Sequence, residues 1–409
     1  MIKIILITSG QPTLNPRMVK EADALTEAGY EVTVLYQYWN EWATIMDREL
    51  FETRNWHAIR VGGSPVEQKI TYWLTRIAHK VSNNLTRFFG IASFADAAIG
   101  RCTPVLSSAA KKLKADLYIA HNLAALPAAV KAAKKNNAKV GFDAEDFHRQ
   151  ELVNDPKHFD FKLKKFIEDK YFPQIDYLTT SSPGISVLYQ TLFQKLNPKT
   201  ILNVFNRQQG KIKFRPLENK LKMIWFSQTI GPNRGLEDII AVLKFSDQFE
   251  LHLLGNIDEG QRWAFDELCS NQQVAKEQVF FHSPIPSSQI VGFCSQFNMG
   301  LALEPGFSIN NESALSNKIF TYLQAGLAVV ASDTSAQALF MKDFPGLGEV
   351  YKRGNLDMLV KILKNYLARP DLLFQQQQQA YAYAQNELSW DMEKEKFISI
   401  VKQTLQENR

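Results

Sequence analysis

Residues 1–35, MIKIILITSGQPTLNPRMVKEADALTEAGYEVTVL, decide how the chain folds. Residues 2–8 are a short apolar run interrupted by Lys3, and the loop Ser9-Gly10-Gln11-Pro12 follows it. Asn15 is a good helix cap, and Pro16 suits the first helical position, where a missing N–H costs nothing. Val19, Ala22, Leu25 and Ala28 then share one helical face until Gly29, after which residues 31–35 form a second strand. The opening run has one Lys, about four consecutive apolar residues and no small-residue cleavage site, so it reads as a buried strand rather than a signal peptide.

The same alternation continues outward. Residues 117–120, 139–142 and 177–180 are short apolar strands, each followed by a polar loop and a helical stretch. Residues 222–226, 251–254, 279–282, 299–303 and 328–332 repeat the scheme, with a Gly-rich loop at 231–235, a helix through Leu243 and another at 317–325. Near-continuous apolar runs alternating with helices imply parallel sheets covered on both faces. A length of 409 residues fits two domains of about 200 each. The polar stretch 206–219 reads as the linker, the glutamine run 375–379 as a solvated helix face, and residues 390–406 as a closing amphipathic helix. The expected organisation is α/β: residues 1–207, joined by the C-terminal helix 390–409, form one Rossmann-like domain and residues 208–389 a second. Two such sheets facing across a cleft place a ligand at the carboxyl ends of their strands.

Composition narrows the function classes. The apolar fraction of 45% and charged fraction of 22% are those of a folded chain, and no apolar run approaches the ~18 residues of a membrane span. Three widely spaced cysteines form neither a disulfide framework nor a zinc site, which implies a reducing compartment, the cytoplasm. Residues 1–207 carry 27 Lys and Arg against 20 Asp and Glu, a net +7, whereas residues 208–409 carry 20 against 22, a net −2. The basic half suggests an anionic partner such as a lipid phosphate or acidic glycan, while scattered charge and no binding motif argue against nucleic acid. The Gly-x-Gly-x-x-Gly, P-loop, His-Glu-x-x-His and Gly-x-Ser-x-Gly signatures are all absent.

Over nearly its whole length the chain resembles the retaining GT-B glycosyltransferases of family 4. The likeness lies in Asn15-Pro16-Arg17 with Glu21-Ala22-x-x-Leu25 and Gly29, in Asp116–Asn122 with Leu126-Pro127-Ala128, in Gly141–Asp146, and in Ile167-Glu168 through Thr180-Ser181-Ser182. It continues in Trp225–Ile230 with Arg234-Gly235-Leu236, and in Asn317–Val330, which looks like the family's strongest signature. The resemblance implies a nucleotide-diphosphate-sugar donor held by the second domain and a glycan or lipid-linked acceptor held by the first. It implies no metal and no cofactor. On the same footing it suggests catalytic roles for His121, Asp143 and Glu145, and donor diphosphate contacts for Arg234, Lys318 and Gly10. Gly255, Glu312, Asn317 and Thr321 would contact the nucleotide or sugar, and Arg17 and Asp146 would lie on the acceptor side.

The residues also admit plainer readings. His121 at a strand end could hydrogen-bond a donor sugar or simply a local carbonyl. Asp143, Glu145 and Asp146 could bind an acceptor hydroxyl, hold a divalent metal in a different fold, or cap a helix. Glu145 and Asp146 stand where the family usually has His and Glu, and His148 reads as a surface residue. Thr321 stands where the family has a glutamate, so either another group such as Glu312 holds the ribose or nucleotide affinity is weak; the seven-residue gap between Glu304 and Glu312 reads as accidental. Arg234 could pair with Glu237 or Asp238, and Lys318 could point into water. Residues 68–90 carry Ile70, Trp73, Leu74, Ile77, Val81, Leu85 and Phe88 at helical spacing among Lys69, Arg76, Lys80 and Arg87. That stretch could lie in a membrane interface, at the inner face of the membrane, or pack on its own domain with a solvated basic face. A non-hydrolysing nucleotide-sugar epimerase and a non-catalytic binding or scaffold subunit are the alternative functions.

Overall fold

The structure, a computed structural model, describes residues 1–207, 212 and 214–406. Chain contacts divide it into two units: Met1–Ile201 with Ser308–Asn310 and Lys394–Arg409, and Leu202–Phe307 with Asn311–Glu393. Of the stretch 206–219 expected as linker, residues 208–211 and 213 lie outside the described residues.

The first unit holds seven strands: β1 (Lys3–Thr8), β2 (Glu31–Gln37), β3 (His57–Val61), β4 (Leu117–His121), β5 (Lys139–Ala144), β6 (Tyr177–Thr180) and β7 (Lys199–Thr200). They pair in the order β3-β2-β1-β4-β5-β6-β7, and every pair is parallel. β1 and β4 are central and almost wholly buried, which is why their sequences run apolar without alternation. The helix Pro16–Glu27 begins as expected: the Asn15 side chain accepts a hydrogen bond from the Met18 N–H (3.0 Å), and Pro16 occupies the first position. Gly29, at φ +87°, lies just past its end.

The second unit holds β8 (Leu221–Thr229), β9 (Phe249–Asn256), β10 (Val279–His282), β11 (Met299–Ala302), β12 (Ala328–Ser332) and β13 (Gly348–Tyr351), ordered β10-β9-β8-β11-β12-β13 and again all parallel. Its core joins Trp225, Leu253, Leu301 and Val330 of the strands to Leu236, Ile240 and Leu363 of the covering helices. Two glycines allow close approaches beside the strand ends. A Cβ at Gly255 would lie 2.3 Å from the Ser227 carbonyl oxygen, and one at Gly235 (φ +75°) would lie 1.8 Å from that of Leu303.

The helix expected across residues 68–90 spans Lys69–Phe89, but its orientation differs from that of a helix packed by its apolar face. Tyr72, Thr75, Ser82 and Thr86 are buried, while the apolar stripe from Ile70 to Phe88 is largely exposed. Among the described residues, no helix is long and apolar enough to cross a membrane.

Gly235→Ala combines a left-handed backbone with a clash against main chain that cannot swing away. It should cost at least about 2 kcal/mol in urea unfolding, and a loss below about 0.5 kcal/mol, the scale of an ordinary surface change, would contradict the close approach.

Candidate active site

At the carboxyl ends of β1, β4 and β5 the first unit buries a cluster of charges. Arg17, from the first turn of its helix, donates from Nε and Nη2 to the two oxygens of Asp143 (2.6 and 2.8 Å) and from Nη1 to the Ile201 carbonyl (2.5 Å). Glu21, one helical turn on, places Oε2 3.1 Å from His121 Nε2, while His121 Nδ1 lies 3.5 Å from Asp143 and 3.9 Å from Glu145. Thr179 of β6 donates to Asp143 as well (2.7 Å). Arg17, Glu21, His121 and Asp143 are all essentially without solvent contact.

Charges at such depth persist only when paired. Burial works against ionisation of Asp143, but the Arg17 guanidinium, then His121, override it and hold the carboxyl far below its usual range. Burial also opposes charge on His121; Glu21, then Asp143 and Glu145, reverse this and hold the imidazole well above its usual range. Burial and Asp143 push the Glu21 carboxyl up, with His121 and Arg17 opposing. Both imidazole nitrogens face carboxylates, so the imidazolium satisfies the site better than either neutral tautomer. Burial, reinforced by Arg17, pushes the neighbouring Lys20 ammonium down to about 7.

Glu21, His121 and Asp143 have ligand atoms within 4.8 Å of one another, a spacing that would admit a metal ion. Here Arg17 already places a cation against Asp143. The ring nitrogens of His121 and the oxygens of Glu21 lie at ion-pair distance without an aligned hydrogen bond.

His121, Asp143 and Glu145 are thus together at the strand ends, and His121 meets carboxylates rather than a local carbonyl. Glu145 alone of the three has a partly exposed side chain, 32% accessible. Asp146 is half-buried; burial and then Glu151 push its carboxyl up. None of these acids caps a helix, since β5 runs into a single short turn, His148–Gln150, preceded by Phe147. His148, expected at the surface, is buried against Phe142 with Nδ1 3.4 Å from Glu151, because its ring completes the aromatic packing under that turn. Gly10 lies in the loop after β1, where its N–H donates to Thr8 Oγ1 (3.2 Å). Beside it, Ser9 donates through N and Oγ to Asn122 (3.0 and 2.6 Å), tying the β1 loop to the residue after His121.

In the second unit the β8–β9 ladder breaks between Phe226 and Thr229. Ser227 and Gln228 there line a cavity of about 390 Å³ with Glu304, Leu315, Asn317 and Lys318. Lys318 sits in the first turn of the helix Asn317–Gln324, its Nζ 2.7 Å from Glu304 and 5.5 Å from the Trp225 ring centre. Burial would raise Glu304, but Lys318 overrides it and the carboxyl stays ionised. Ser316 precedes this helix, yet its hydroxyl goes to Glu304 (2.7 Å) and does not cap the first turn. Lys318 therefore pairs with a carboxylate rather than pointing into water. Arg234 is exposed and, among the described residues, makes no ion pair, because Glu237 accepts from the Asn233 N–H and Asp238 from Tyr351 and the Gly354 N–H. Glu312 pairs with Arg353 (2.5 Å), and Thr321 is buried with its hydroxyl turned to the Asn317 carbonyl (3.4 Å).

Two site residues, Glu21 and Glu304, were visible in the sequence but were given no role there. Glu21 sits one turn from Arg17, and an acid and a base interrupting a buried helix face was the available signal. Glu304 lies between a buried strand and the Lys318 helix, and its spacing to Glu312 was visible.

No family model matches the chain, and no curated protein matches it. Solved structures do. HepE from Anabaena, solved with UDP, shares 13% identity over 98% of this chain and 100% of its own, at a TM-score of 0.69. A glycosyltransferase from Rickettsia africae shares 14% over 99% of each chain, at 0.67. A TarM variant from S. aureus, solved with UDP and alpha-GlcNAc-glycerol, shares 11% over 99% and 100%, at 0.70. Likeness along whole chains at such identities establishes the fold. The fold is GT-B, with two Rossmann-like parallel-sheet domains.

The His121 account predicts a pH dependence. A folded-state value raised above that of an unfolded histidine, about 6.5, adds stability in full below that pH and loses it as pH rises through the folded value. Asp143 acts oppositely: its lowered value adds stability above about pH 3.9 and loses it as pH falls. NMR of the histidine ring nitrogens should show His121 doubly protonated at about pH 7.5, whereas a ring that loses its proton near about pH 6.5 would contradict the buried ion pair.

Proposed function

We propose that the protein is a glycosyltransferase, moving a sugar from a nucleotide-diphosphate donor to a glycan or lipid-linked acceptor with retention of configuration and without a metal. The observation that carries this reading is the cavity at the β8 end. A helix start that Ser316 does not cap and the Lys318 ammonium meet there, a combination suited to a diphosphate. The fold shared with HepE and TarM, both solved with UDP, supports a nucleotide donor, and the ligands of TarM support a glycan acceptor.

On this reading the donor diphosphate displaces Glu304 as the partner of Lys318, and Arg234 closes on it from the loop that Gly235 holds against Leu303. Asn317 opens the same helix, and Glu312 and Thr321 flank the donor pocket. Charge on the diphosphate grows as the glycosidic bond breaks, so these cations stabilise the departing group more than the bound donor. Glu145 meets the acceptor hydroxyl. His121, Asp143 and Arg17, buried behind it, are positioning residues that fix the strand ends carrying Glu145. Asp146 and Gly10 border the acceptor and donor sides respectively, and Gly255 keeps the ends of β8 and β9 close enough to shape the nucleotide pocket.

Calorimetry against UDP, GDP and ADP tests the reading. One diphosphate should bind, and Lys318→Ala or Arg234→Ala should weaken it by about 1.5–3 kcal/mol while the free nucleoside is little affected. Failure to bind any of the three would favour a non-catalytic subunit. Conversion of a donor sugar without acceptor would favour an epimerase.

A further inference from the structure

The helix Lys69–Phe89 presents to solvent the face that a water-soluble domain normally buries. Ile70, Trp73, Leu74, Ile77, Val81 and Phe88 are between 48% and 85% exposed, although the helix is firmly seated through Tyr72, Thr75, Ser82 and Thr86. Lys69, Arg76, Lys80 and Arg87 recur at spacings of seven, four and seven, which aligns them along one edge of that apolar face. Trp39, Trp42 and Ile45, after β2, add exposed apolar surface. Trp39 and Trp73 line one cavity of about 730 Å³, together with Arg76, Lys80 and Arg101. No carboxylate lines this cavity, and among the described residues none of the five cations Lys69, Arg76, Lys80, Arg87 and Arg101 makes an ion pair. Arg76 instead donates to the Tyr72 hydroxyl (2.9 Å) and lies 5.5 Å from the Tyr72 and Trp73 ring centres, and Arg101 donates to Thr75 (2.8 Å) and to the carbonyls of Tyr38 (2.8 Å) and Gly62 (3.2 Å).

We propose that this helix lies in the headgroup region of an anionic membrane, with its apolar face in the acyl boundary, and that the cavity behind it receives the phosphate of a lipid from that membrane. A bilayer of anionic lipid satisfies both features at once: acyl chains cover the apolar face, and phosphates neutralise a cationic edge that the protein leaves without acids. The tryptophans stand where interfacial rings sit, at the border between apolar and polar surface. The contact is interfacial and reversible, not spanning. That the lipid so held is the sugar acceptor rests on the transferase reading; the membrane contact does not.

Co-sedimentation of the full chain with vesicles tests this without any turnover assay. Vesicles of phosphatidylcholine with about one-third phosphatidylglycerol should bind the protein at least about tenfold more tightly than phosphatidylcholine alone, and salt should weaken the binding. Trp73→Ser with Ile77→Ser should lower binding at least about tenfold, and Arg76→Gln with Lys80→Gln should lower it by a similar factor on the anionic vesicles only. All four side chains are exposed or at the surface, so unchanged melting temperatures would confirm folded variants. Absence from the anionic pellet, or equal binding to both vesicle types, would overturn the proposal. So would a concentration-dependent dimer abolished by the Trp73 and Ile77 changes, since a second copy would then be the occupant. Wild-type nucleotide binding, measured separately, decides the transferase reading, so the two can fail independently.

Discussion

The buried pair between Arg17 and Asp143 is the constraint around which the first unit is arranged. A guanidinium and a carboxylate without solvent must find each other with near-ideal geometry, and the two-pronged contact does so at 2.6 and 2.8 Å. The pair joins the helix Pro16–Glu27 to β5, the Ile201 carbonyl and, through Glu21, to His121 at the end of β4. Three strand ends are thereby tied together by charge as well as by apolar packing. An apolar cluster of the same volume would cost less to bury, but it would not specify where Glu145 emerges.

The second unit solves the same problem differently. Its strand ends are shaped by close backbone approach at Gly235 and Gly255, and Lys318, lining the cavity at the β8 end, is paired with Glu304. The Glu304 carboxylate fixes where the Lys318 side chain points, 2.7 Å away. The first unit thus carries Glu145 in front of a buried charge cluster, and the second carries Lys318 in the first turn of a helix.

How much of this was legible follows from what each residue's neighbours do. Interior strands such as β1, β4 and β12 are wrapped on both faces and so run continuously apolar, and the sequence reading located them. β3, β7 and β13 are sheet edges, only partly buried, and their mixed composition hides them. The Asn15 cap and the pairing of a helix with a following strand depend on a few adjacent residues and were readable. The partner of His121 was not, because Glu21 is 100 residues away and its burial exists only once the sheet has formed. Amphipathicity announced the helix Lys69–Phe89 correctly, yet a period reports only that two faces differ. Which face turns inward depends on what Tyr72, Thr75 and Thr86 meet in three dimensions. His148 was misplaced for the same reason, since nothing local reveals the aromatic packing above it.

The claim that buried charge pairing orders the first unit is tested most directly by a double-mutant cycle on Arg17 and Asp143, read by urea unfolding. Arg17→Met and Asp143→Leu should each cost about 3–5 kcal/mol, because each strands the other's charge in the interior. Together they should cost less than the sum by at least about 2 kcal/mol. Single costs below about 1 kcal/mol that simply add would mean that the pair is incidental and that apolar packing alone sets the strand ends.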